Sequence, residues 1–263
     1  MLRLLTIAGS DSGGGAGIQA DLKTFAALGA FGMSAVTAVT AQNTRGVEGI
    51  WDLPPEAVGR QILAVANDIG VDAVKIGMVH TAAIVYAVAA ALDRLGPLPV
   101  VLDPVMRAKG GHPLIEPEAE QAIRAELLPR ATVVTPNAPE AEALTGLRVR
   151  SRDEQTEAAQ RLCALGCRWA LVKGGHLDGP DVVDILHGPE PRVYRHPRID
   201  TPHTHGTGCT LSSAIAVGLA RGLGVPEAVE LAEAYLAGAI RHAPGLGSGH
   251  GPLHHYWGMT PWM

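Results

Sequence analysis

The sequence predicts an α/β fold with a mainly parallel central sheet and helices on both faces. Short apolar runs alternate along the chain with longer stretches of helical periodicity, the pattern of β-α units. Polar residues typical of binding sites follow several of these runs directly. We therefore expect ligands to bind at the carboxyl edge of the sheet.

The first half of the chain contains the predicted elements that open this sheet. Helix starts are indicated by a proline early in a periodic stretch and by Thr81 as an N-cap, and Gly29 marks a helix end. In order, the predicted elements are the strand Leu4–Ala8, the helix Ile18–Leu28, the strands Gly32–Ala41 and Val47–Asp52, the helix Pro55–Asp68, the strand Ala73–Ile76, the helix Thr81–Leu95 and the strand Val100–Leu102.

The second half continues the alternation and adds a hairpin. Two strand-like runs follow each other there without a helix between them. The predicted elements are the helix Pro117–Leu128, the strand Thr132–Val134, the helices Pro139–Leu144 and Arg152–Leu165, the strands Trp169–Val172, Asp181–Leu186 and Arg192–His196, and the helices Gly208–Arg221 and Pro226–Arg241. Since there is no internal repeat and no long linker, we expect one domain over residues 1–263.

Composition narrows the possible partners and the compartment. The chain has 263 residues and a formal net charge of -5, with no dense run of Lys and Arg. Nucleic acid and anionic membranes are therefore not expected partners. The apolar stretch Ile84–Leu92 is too short to span a bilayer. Three cysteines in a chain of this length argue against a disulfide scaffold and favour a reducing cytoplasm.

Two glycine-rich stretches suggest phosphate chemistry, but neither matches a common nucleotide motif. Gly13–Gly17 lacks the G-x-G-x-x-G spacing of dinucleotide-binding proteins, and Lys173 precedes its glycines, unlike the lysine of a P-loop. Composition alone leaves open whether the first stretch is a flexible surface loop or a backbone surface for a flat substrate.

The segment from His203 to Thr210 is the most informative in the chain. Small polar residues and glycines lead into the start of a predicted helix, where free N–H groups and the helix dipole favour anions. Cys209 lies at this helix start, and such a field lowers a thiol pKa. We therefore expect an anion site beside a reactive cysteine.

Long, ordered motifs over nearly the whole chain resemble one enzyme family, the hydroxymethylpyrimidine/phosphomethylpyrimidine kinases of thiamin biosynthesis. These motifs are Gly9–Asp21, Thr40–Thr44, Asp103–Met106, Thr135–Glu142, Lys173–His176, Gly206–Cys209 and the tail Gly249–His255. The resemblance implies a ribokinase-like three-layer sandwich and a homodimer. It also implies ATP- and Mg²⁺-dependent phosphorylation of 4-amino-5-hydroxymethyl-2-methylpyrimidine, followed by extension of the monophosphate to the diphosphate.

The resemblance also implies a set of substrate-binding residues. The amide of Gln42 offers an acceptor and a donor that match a 4-aminopyrimidine edge, the way Asn or Gln reads adenine. Gly9 and Asp21 belong to the same implied pocket, and Met78 and Val105 are expected to form apolar walls. For Asp21 a helix-dipole role, and for the two apolar residues ordinary core packing, remain alternatives.

The phosphate-binding residues are implied in the same way. Asp103 and Glu140 are expected to bind Mg²⁺, directly or through water. Asn137, Lys173 and Thr207 are expected to contact ATP, and the turn of Gly206, Thr207, Gly208 and Cys209 to hold the transferred phosphoryl group. Asn137 and Glu140 are also consistent with a helix cap.

Cys209 departs from the wider superfamily, whose sugar kinases have an aspartate at this position. A thiol accepts a proton only as a thiolate, which the helix start could favour. Two alternatives remain: a pyridoxal or pyridoxine kinase of the same fold, and a non-catalytic pyrimidine-binding protein. Gln42 suits an aminopyrimidine better than a hydroxypyridine aldehyde, and the retained acids, lysine and anion-binding turn argue against a non-catalytic protein.

Overall fold

The computed structural model describes residues 1–259, so the last four residues of the predicted domain lie outside it. One nine-stranded sheet has the order β3-β2-β1-β4-β5-β6-β7-β8-β9. The strands are β1 (Arg3–Asp11), β2 (Phe31–Asn43), β3 (Gly46–Asp52), β4 (Ala73–Ile76), β5 (Val100–Leu102), β6 (Val133–Val134), β7 (Trp169–Val172), β8 (Asp181–His187) and β9 (Arg192–Pro197). The six central strands run parallel, whereas β3, β8 and β9 pair antiparallel at the two edges.

Helices cover both faces of this sheet. They are α1 (Gly17–Ala27), α2 (Pro55–Asp68), α3 (Ala82–Leu95), α4 (Pro117–Ala122), α5 (Ala138–Thr145), α6 (Arg152–Ala164), α7 (Thr207–Ala220) and α8 (Val225–Arg241). Buried residues of α2 to α6 form one core with the sheet, and those of α1, α7 and α8 form a second core on the opposite face. The predicted three-layer α/β architecture is confirmed.

Strand residues that are neighbours in sequence supply these two cores in turn. Leu4 packs in the core of α1, α7 and α8, whereas Leu5 packs in the other core. In the same way Val101 and Leu102 point to opposite faces. Because both faces are covered, both positions must be apolar, which explains the continuous hydrophobic runs of the sequence.

Three predicted elements, one helix and two strands, differ from the structure near the cavity. The single helix expected over Pro117–Leu128 is an α-helix only to Ala122, continues as a π-helical turn over Ile123–Leu127, and ends in a 3-10 turn at Leu128–Arg130. The strands β1 and β2 are longer than predicted and reach Asp11 and Asn43. Their mutual pairing extends strand geometry into residues whose polar character suggested a loop.

The membrane and cysteine expectations can be compared with the described part of the chain. Among residues 1–259, no helix combines the length and the apolar character needed to cross a membrane. Cys163, Cys167 and Cys209 are all free thiols.

Candidate active site

A cavity of about 840 Å³ lies along the carboxyl ends of the parallel strands. Cavities of this size hold drug-sized ligands in other proteins. Its wall is formed by the ends of β1 and β2, the residues after β4, β5 and β7, and the start of α7. All the predicted site residues except Asp21 line it: Gly9, Gln42, Met78, Asp103, Val105, Asn137, Glu140, Lys173, Gly206, Thr207, Gly208 and Cys209.

Gln42 is held in a defined orientation in the wall of this cavity. It follows an irregularity in the pairing of β2 with β3. Its backbone N–H donates to Ser12 Oγ at 2.8 Å, and its Oε1 accepts from Thr40 Oγ1 at 3.0 Å. Its Nε2 lies 3.4 Å from His205 Nε2. The carboxamide is therefore positioned to present a fixed donor and acceptor edge to a ligand.

The predicted apolar wall also packs with neighbouring residues. Met78 is buried in a small cluster with Ala38 and Leu114, and Val105 packs against that cluster. A Cβ added at Gly9 would lie 2.9 Å from the Met78 Sδ atom, so glycine leaves space for the methionine side chain. Met78 and Val105 therefore combine the packing role and the cavity-wall role that the sequence left as alternatives.

Asp11 and His205 form a contact that the sequence analysis missed. Asp11 accepts hydrogen bonds from the backbone N–H groups of Gly13, Gly15 and Ala16, and its Oδ2 lies 2.8 Å from His205 Nε2. Burial acts to raise the pKa of Asp11, but the hydrogen bond and charge of His205, together with those N–H groups, hold it below its ordinary value. The Gly-rich segment is thus ordered around a carboxylate.

The predicted anion-binding turn has a backbone geometry that requires glycine at Gly206. Gly206 precedes α7 with a left-handed φ of 85°, and a Cβ placed there would collide with the Gly15 carbonyl oxygen. A Cβ added at Gly208 would lie 3.2 Å from Lys173 Nζ and 3.3 Å from Asp103 Oδ2. The start of α7 therefore lies close to the Lys173–Asp103 pair at Gly208, while the Thr207 N–H donates to the Thr204 carbonyl oxygen at 3.4 Å.

Replacement of Gly206 by alanine is expected to lower the free energy of unfolding by about 2 kcal/mol or more, because a strained φ and a backbone collision combine. Urea denaturation measures this loss. Gly222→Ala is the matched control, since Gly222 has the same φ of 85° with no atom within 4 Å of an added Cβ. Equal losses in the two variants would show that the collision with Gly15 contributes nothing.

Cys209 is a buried thiol, and the expectation of a lowered pKa is wrong for the free protein. Burial raises the pKa of Cys209 to about 12, and the nearby carboxylates of Asp21 and Asp103 act in the same direction. The positive charge of Lys75 and a hydrogen bond from the Gly17 N–H oppose this shift without overcoming it. The helix start alone does not compensate for removal of the thiolate from water.

Lys173 and Asp103 form an ion pair at the centre of the cavity. Lys173 Nζ lies 3.2 Å from Asp103 Oδ1, and the two side chains are 14% and 3% exposed. Asp103 also accepts from Thr135 Oγ1 at 3.3 Å. Burial acts to lower the pKa of Lys173, but the charges of Asp103 and Glu140 raise it above its ordinary value. Lys173 is therefore a fixed positive charge at neutral pH.

Asn137 and Glu140 form a capping box at the start of α5 and also face the cavity. Asn137 Oδ1 accepts from the Glu140 N–H at 2.9 Å, and Glu140 Oε2 accepts from the Asn137 N–H at 2.8 Å. Burial and the charge of Asp103 raise the pKa of Glu140 to about 7, although Lys173 acts to lower it. The cap is thus present, and it orients an acid toward Asp103 and Lys173.

Asp21 is the one predicted site residue that does not line the cavity. It is fully buried beneath it, where its Oδ2 accepts from Lys75 Nζ at 2.9 Å and from Thr6 Oγ1 at 2.6 Å, and its Oδ1 accepts from Ser213 Oγ at 2.7 Å. Asp21 is fully buried and absent from the cavity lining, so the structure does not bring this predicted substrate-binding residue to the cavity wall.

Fold and site together define a small-molecule kinase of the ribokinase-like class: a three-layer α/β protein with a glycine-containing helix start, a buried lysine and two carboxylates at one cavity. The chain belongs to the phosphomethylpyrimidine kinase family, whose model matches residues 11–254.

Individual proteins agree with this membership. The hydroxymethylpyrimidine/phosphomethylpyrimidine kinase of Streptomyces coelicolor is 54% identical over 257 residues, which cover 97% of this chain and 95% of that protein. The thiamine biosynthesis bifunctional protein ThiED of Geobacter sulfurreducens is 53% identical over 253 residues, 96% of this chain and 52% of that longer protein. The pyridoxal kinase of Staphylococcus aureus, solved with AMP-PCP and pyridoxal, superposes with a TM-score of 0.91 at 33% identity and covers 98% of this chain and 95% of its own.

Proposed function

We propose that this protein uses ATP to phosphorylate the hydroxymethyl group of 4-amino-5-hydroxymethyl-2-methylpyrimidine and then extends the monophosphate to the diphosphate, a precursor for thiamin diphosphate. The observation that carries this proposal is that Gln42, Lys173, Asp103 and the start of α7 all line one cavity. The activities named for its relatives fit this arrangement.

The residues of the chain have distinct tasks in this proposal. The Gln42 amide pairs with the ring nitrogen and amino group of the pyrimidine, while Gly9, Met78 and Val105 contact the ring. The Gly208 N–H group and the Lys173 ammonium hold the transferring phosphoryl oxygens. Phosphoryl transfer needs mainly such positioning and charge neutralisation, so few groups have to exchange protons.

ATP is the cosubstrate expected of a kinase of this family, and we propose Mg²⁺ as its counter-ion. Asp103 and Glu140 fit this ion, since both are buried carboxylates at the cavity and the charge of Asp103 raises the pKa of Glu140. A divalent cation held by these residues would favour the ionised form of Glu140. One or two carboxylates are sufficient, because Mg²⁺ retains water and binds phosphate oxygens. Bound Mg²⁺ would neutralise the phosphates, and Asn137 would orient them.

The concentration of Mg²⁺ required for half-maximal activity is expected to fall as the pH rises from about 6 to about 8. The cation binds the ionised form of Glu140, whose pKa is raised to about 7. For the same reason, saturating Mg²⁺ should move the midpoint of the pH-rate profile to lower pH.

Because phosphate groups also titrate near pH 6, Glu140→Gln is the matched control for this effect. Its amide oxygen can still accept from the Asn137 N–H, so the cap is retained without the charge. A wild-type Mg²⁺ requirement that changes with pH no more than that of the variant would contradict the assignment of Glu140.

A coupled assay of ADP formation tests the proposed function with three acceptors: hydroxymethylpyrimidine, its monophosphate and pyridoxal. We expect turnover of both pyrimidines, with higher kcat/KM for hydroxymethylpyrimidine than for pyridoxal. Preference for pyridoxal would instead indicate the activity named for the Staphylococcus aureus protein.

We further propose that residues 1–263 form a single domain that assembles as a homodimer in the cytoplasm. The family resemblance supports the dimer, and the three free thiols support a reducing compartment. Light scattering coupled to size-exclusion chromatography tests the dimer, for which a monomeric mass would be the contrary result.

A further inference from the structure

Lys75 is a lysine with no exposed surface, an arrangement that is rare in proteins. It lies on β4. A Cβ added at Gly77 would lie 2.7 Å from the Lys75 Nζ atom and 3.0 Å from the Ala8 Cβ atom, so glycine leaves space for the ammonium group. Lys75 also lines the cavity from below. A buried charge of this kind is costly in free energy unless it is paired. The groups around the Lys75 ammonium therefore show what stabilises its charge.

Asp21 is the partner of Lys75, and it connects this lysine to the helix that carries Cys209. The Lys75 Nζ to Asp21 Oδ2 distance is 2.9 Å, with both side chains fully buried. Asp21 Oδ1 accepts from Ser213 Oγ on α7 at 2.7 Å, and Thr6 on β1 donates to Oδ2. One hydrogen-bonded network therefore joins β1, α1, β4 and α7 beneath the cavity.

Cys209 lies one turn before Ser213 on the same face of α7, because residues four apart in a helix are vertical neighbours. The network that reaches Ser213 thus ends one helical turn from Cys209, and both Lys75 and Cys209 line the same cavity. The ionisable groups whose charges act on Cys209 include Lys75 from β4, Asp21 from α1, Asp103 after β5 and Lys173 after β7. Lys75 and Lys173 are positive, and the effect of Lys75 on Cys209 is larger than that of either acid.

We propose that Lys75 is a positioning residue for the first phosphorylation, whose ammonium, fixed by Asp21 near Cys209, supplies the positive charge that allows this thiol to act as a proton acceptor. This inference rests on the proposed function only in assigning the acceptor hydroxyl to the neighbourhood of Cys209.

The step balances without any further reactant. Cys209 first loses its own proton to solvent. The substrate O–H bond then breaks as its oxygen bonds to the γ-phosphorus of ATP, the proton passes to the Cys209 Sγ atom, and the bond from the γ-phosphorus to the bridging oxygen of ADP breaks. Lys75 remains charged throughout and lowers the free energy of the thiolate. The second phosphorylation starts from a phosphate anion and needs no such acceptor.

A paired substitution separates this role from a structural one. Lys75→Met alone leaves a buried carboxylate without its partner, so it is expected to unfold at lower urea concentration than wild type. The double variant Lys75→Met with Asp21→Asn removes both charges and should recover most of that loss. The control is the same double substitution in an ion pair at the surface, Arg195→Met on β9 with Asp181→Asn on β8, which removes both charges away from Cys209.

The rate of iodoacetamide alkylation of Cys209, followed across pH by mass spectrometry of its peptide, is measured without any kinase substrate. We expect the apparent thiol pKa in the double variant to lie above that of wild type by less than about one unit, because the lost charge of Lys75 acts on Cys209 more strongly than the lost, opposing charge of Asp21. The kcat of the first phosphorylation should fall by less than about tenfold, with the KM for ATP and the second phosphorylation little changed.

Two results would overturn the proposal. One is an alkylation profile of the double variant that matches those of wild type and of the surface control. The other is recovery of both stability and wild-type kcat in the double variant, which would leave the ion pair a purely structural role. If wild type phosphorylates no pyrimidine at all, the proposed function fails, yet the alkylation comparison still tests whether Lys75 acts on Cys209.

Discussion

Lys173→Met is expected to lower kcat/KM for ATP by about 10²–10³-fold in both phosphorylations, the cost of removing one preorganised group from a site of developing charge. The lysine is held 3.2 Å from Asp103 and faces the start of α7 across the gap that Gly208 leaves open. Both reactions transfer the same γ-phosphoryl group, so the loss should be similar for the two acceptors. Steady-state kinetics with each pyrimidine at saturating Mg²⁺ measures it.

Arg192→Met is a suitable control for this substitution, because it removes an exposed cation on β9 that does not line the cavity. Unchanged kcat/KM in Lys173→Met, with the same folded stability as wild type, would rule out contact of this lysine with the transferred phosphate. A loss confined to one of the two reactions would instead indicate a role toward the acceptor.

Cys209→Ala is expected to slow the first phosphorylation by about 10²-fold, at the lower end of the range for loss of a general base. The lower end applies because burial raises the pKa of this thiol to about 12, so only a small fraction is a thiolate at neutral pH. The second phosphorylation begins from an anionic oxygen and should lose less than about tenfold.

Single-turnover measurements on the two acceptors give this ratio directly. Cys209→Ser is the matched comparison, since a hydroxyl of similar size retains a polar group at the start of α7. Equal losses in both reactions would exclude a base role for Cys209 and leave it a structural part of the anion-binding turn.

The architecture was predictable because both faces of the sheet are covered by helices, so strand residues on either face must be apolar. Leu4 and Leu5 pack in opposite cores, and such apolar runs are easily read. The residues that line the cavity were also predictable, since polar side chains at strand ends converge in parallel sheets. The division of 117–130 into α, π and 3-10 turns was not predicted, because hydrophobic periodicity does not encode such local changes of hydrogen bonding.

Contacts between distant segments were the other limit. Asp11 and His205 both occur in recognised motifs, but 194 positions separate them, and only the folded chain brings them to 2.8 Å. A lone lysine in an apolar strand does not by itself indicate an ion pair. Asp21 was therefore expected to face the substrate, whereas in the structure it pairs with Lys75. The pKa of Cys209 likewise depends on burial, which local sequence does not specify.

A ³¹P NMR time course with hydroxymethylpyrimidine, excess ATP and Mg²⁺ tests the central claim most directly. The proposed function predicts a monophosphate signal that rises first and then falls as two coupled diphosphate signals appear, with two ADP formed per pyrimidine. A monophosphate that accumulates to completion, with one ADP per pyrimidine and no diphosphate, would contradict the claim that one cavity carries out both phosphorylations.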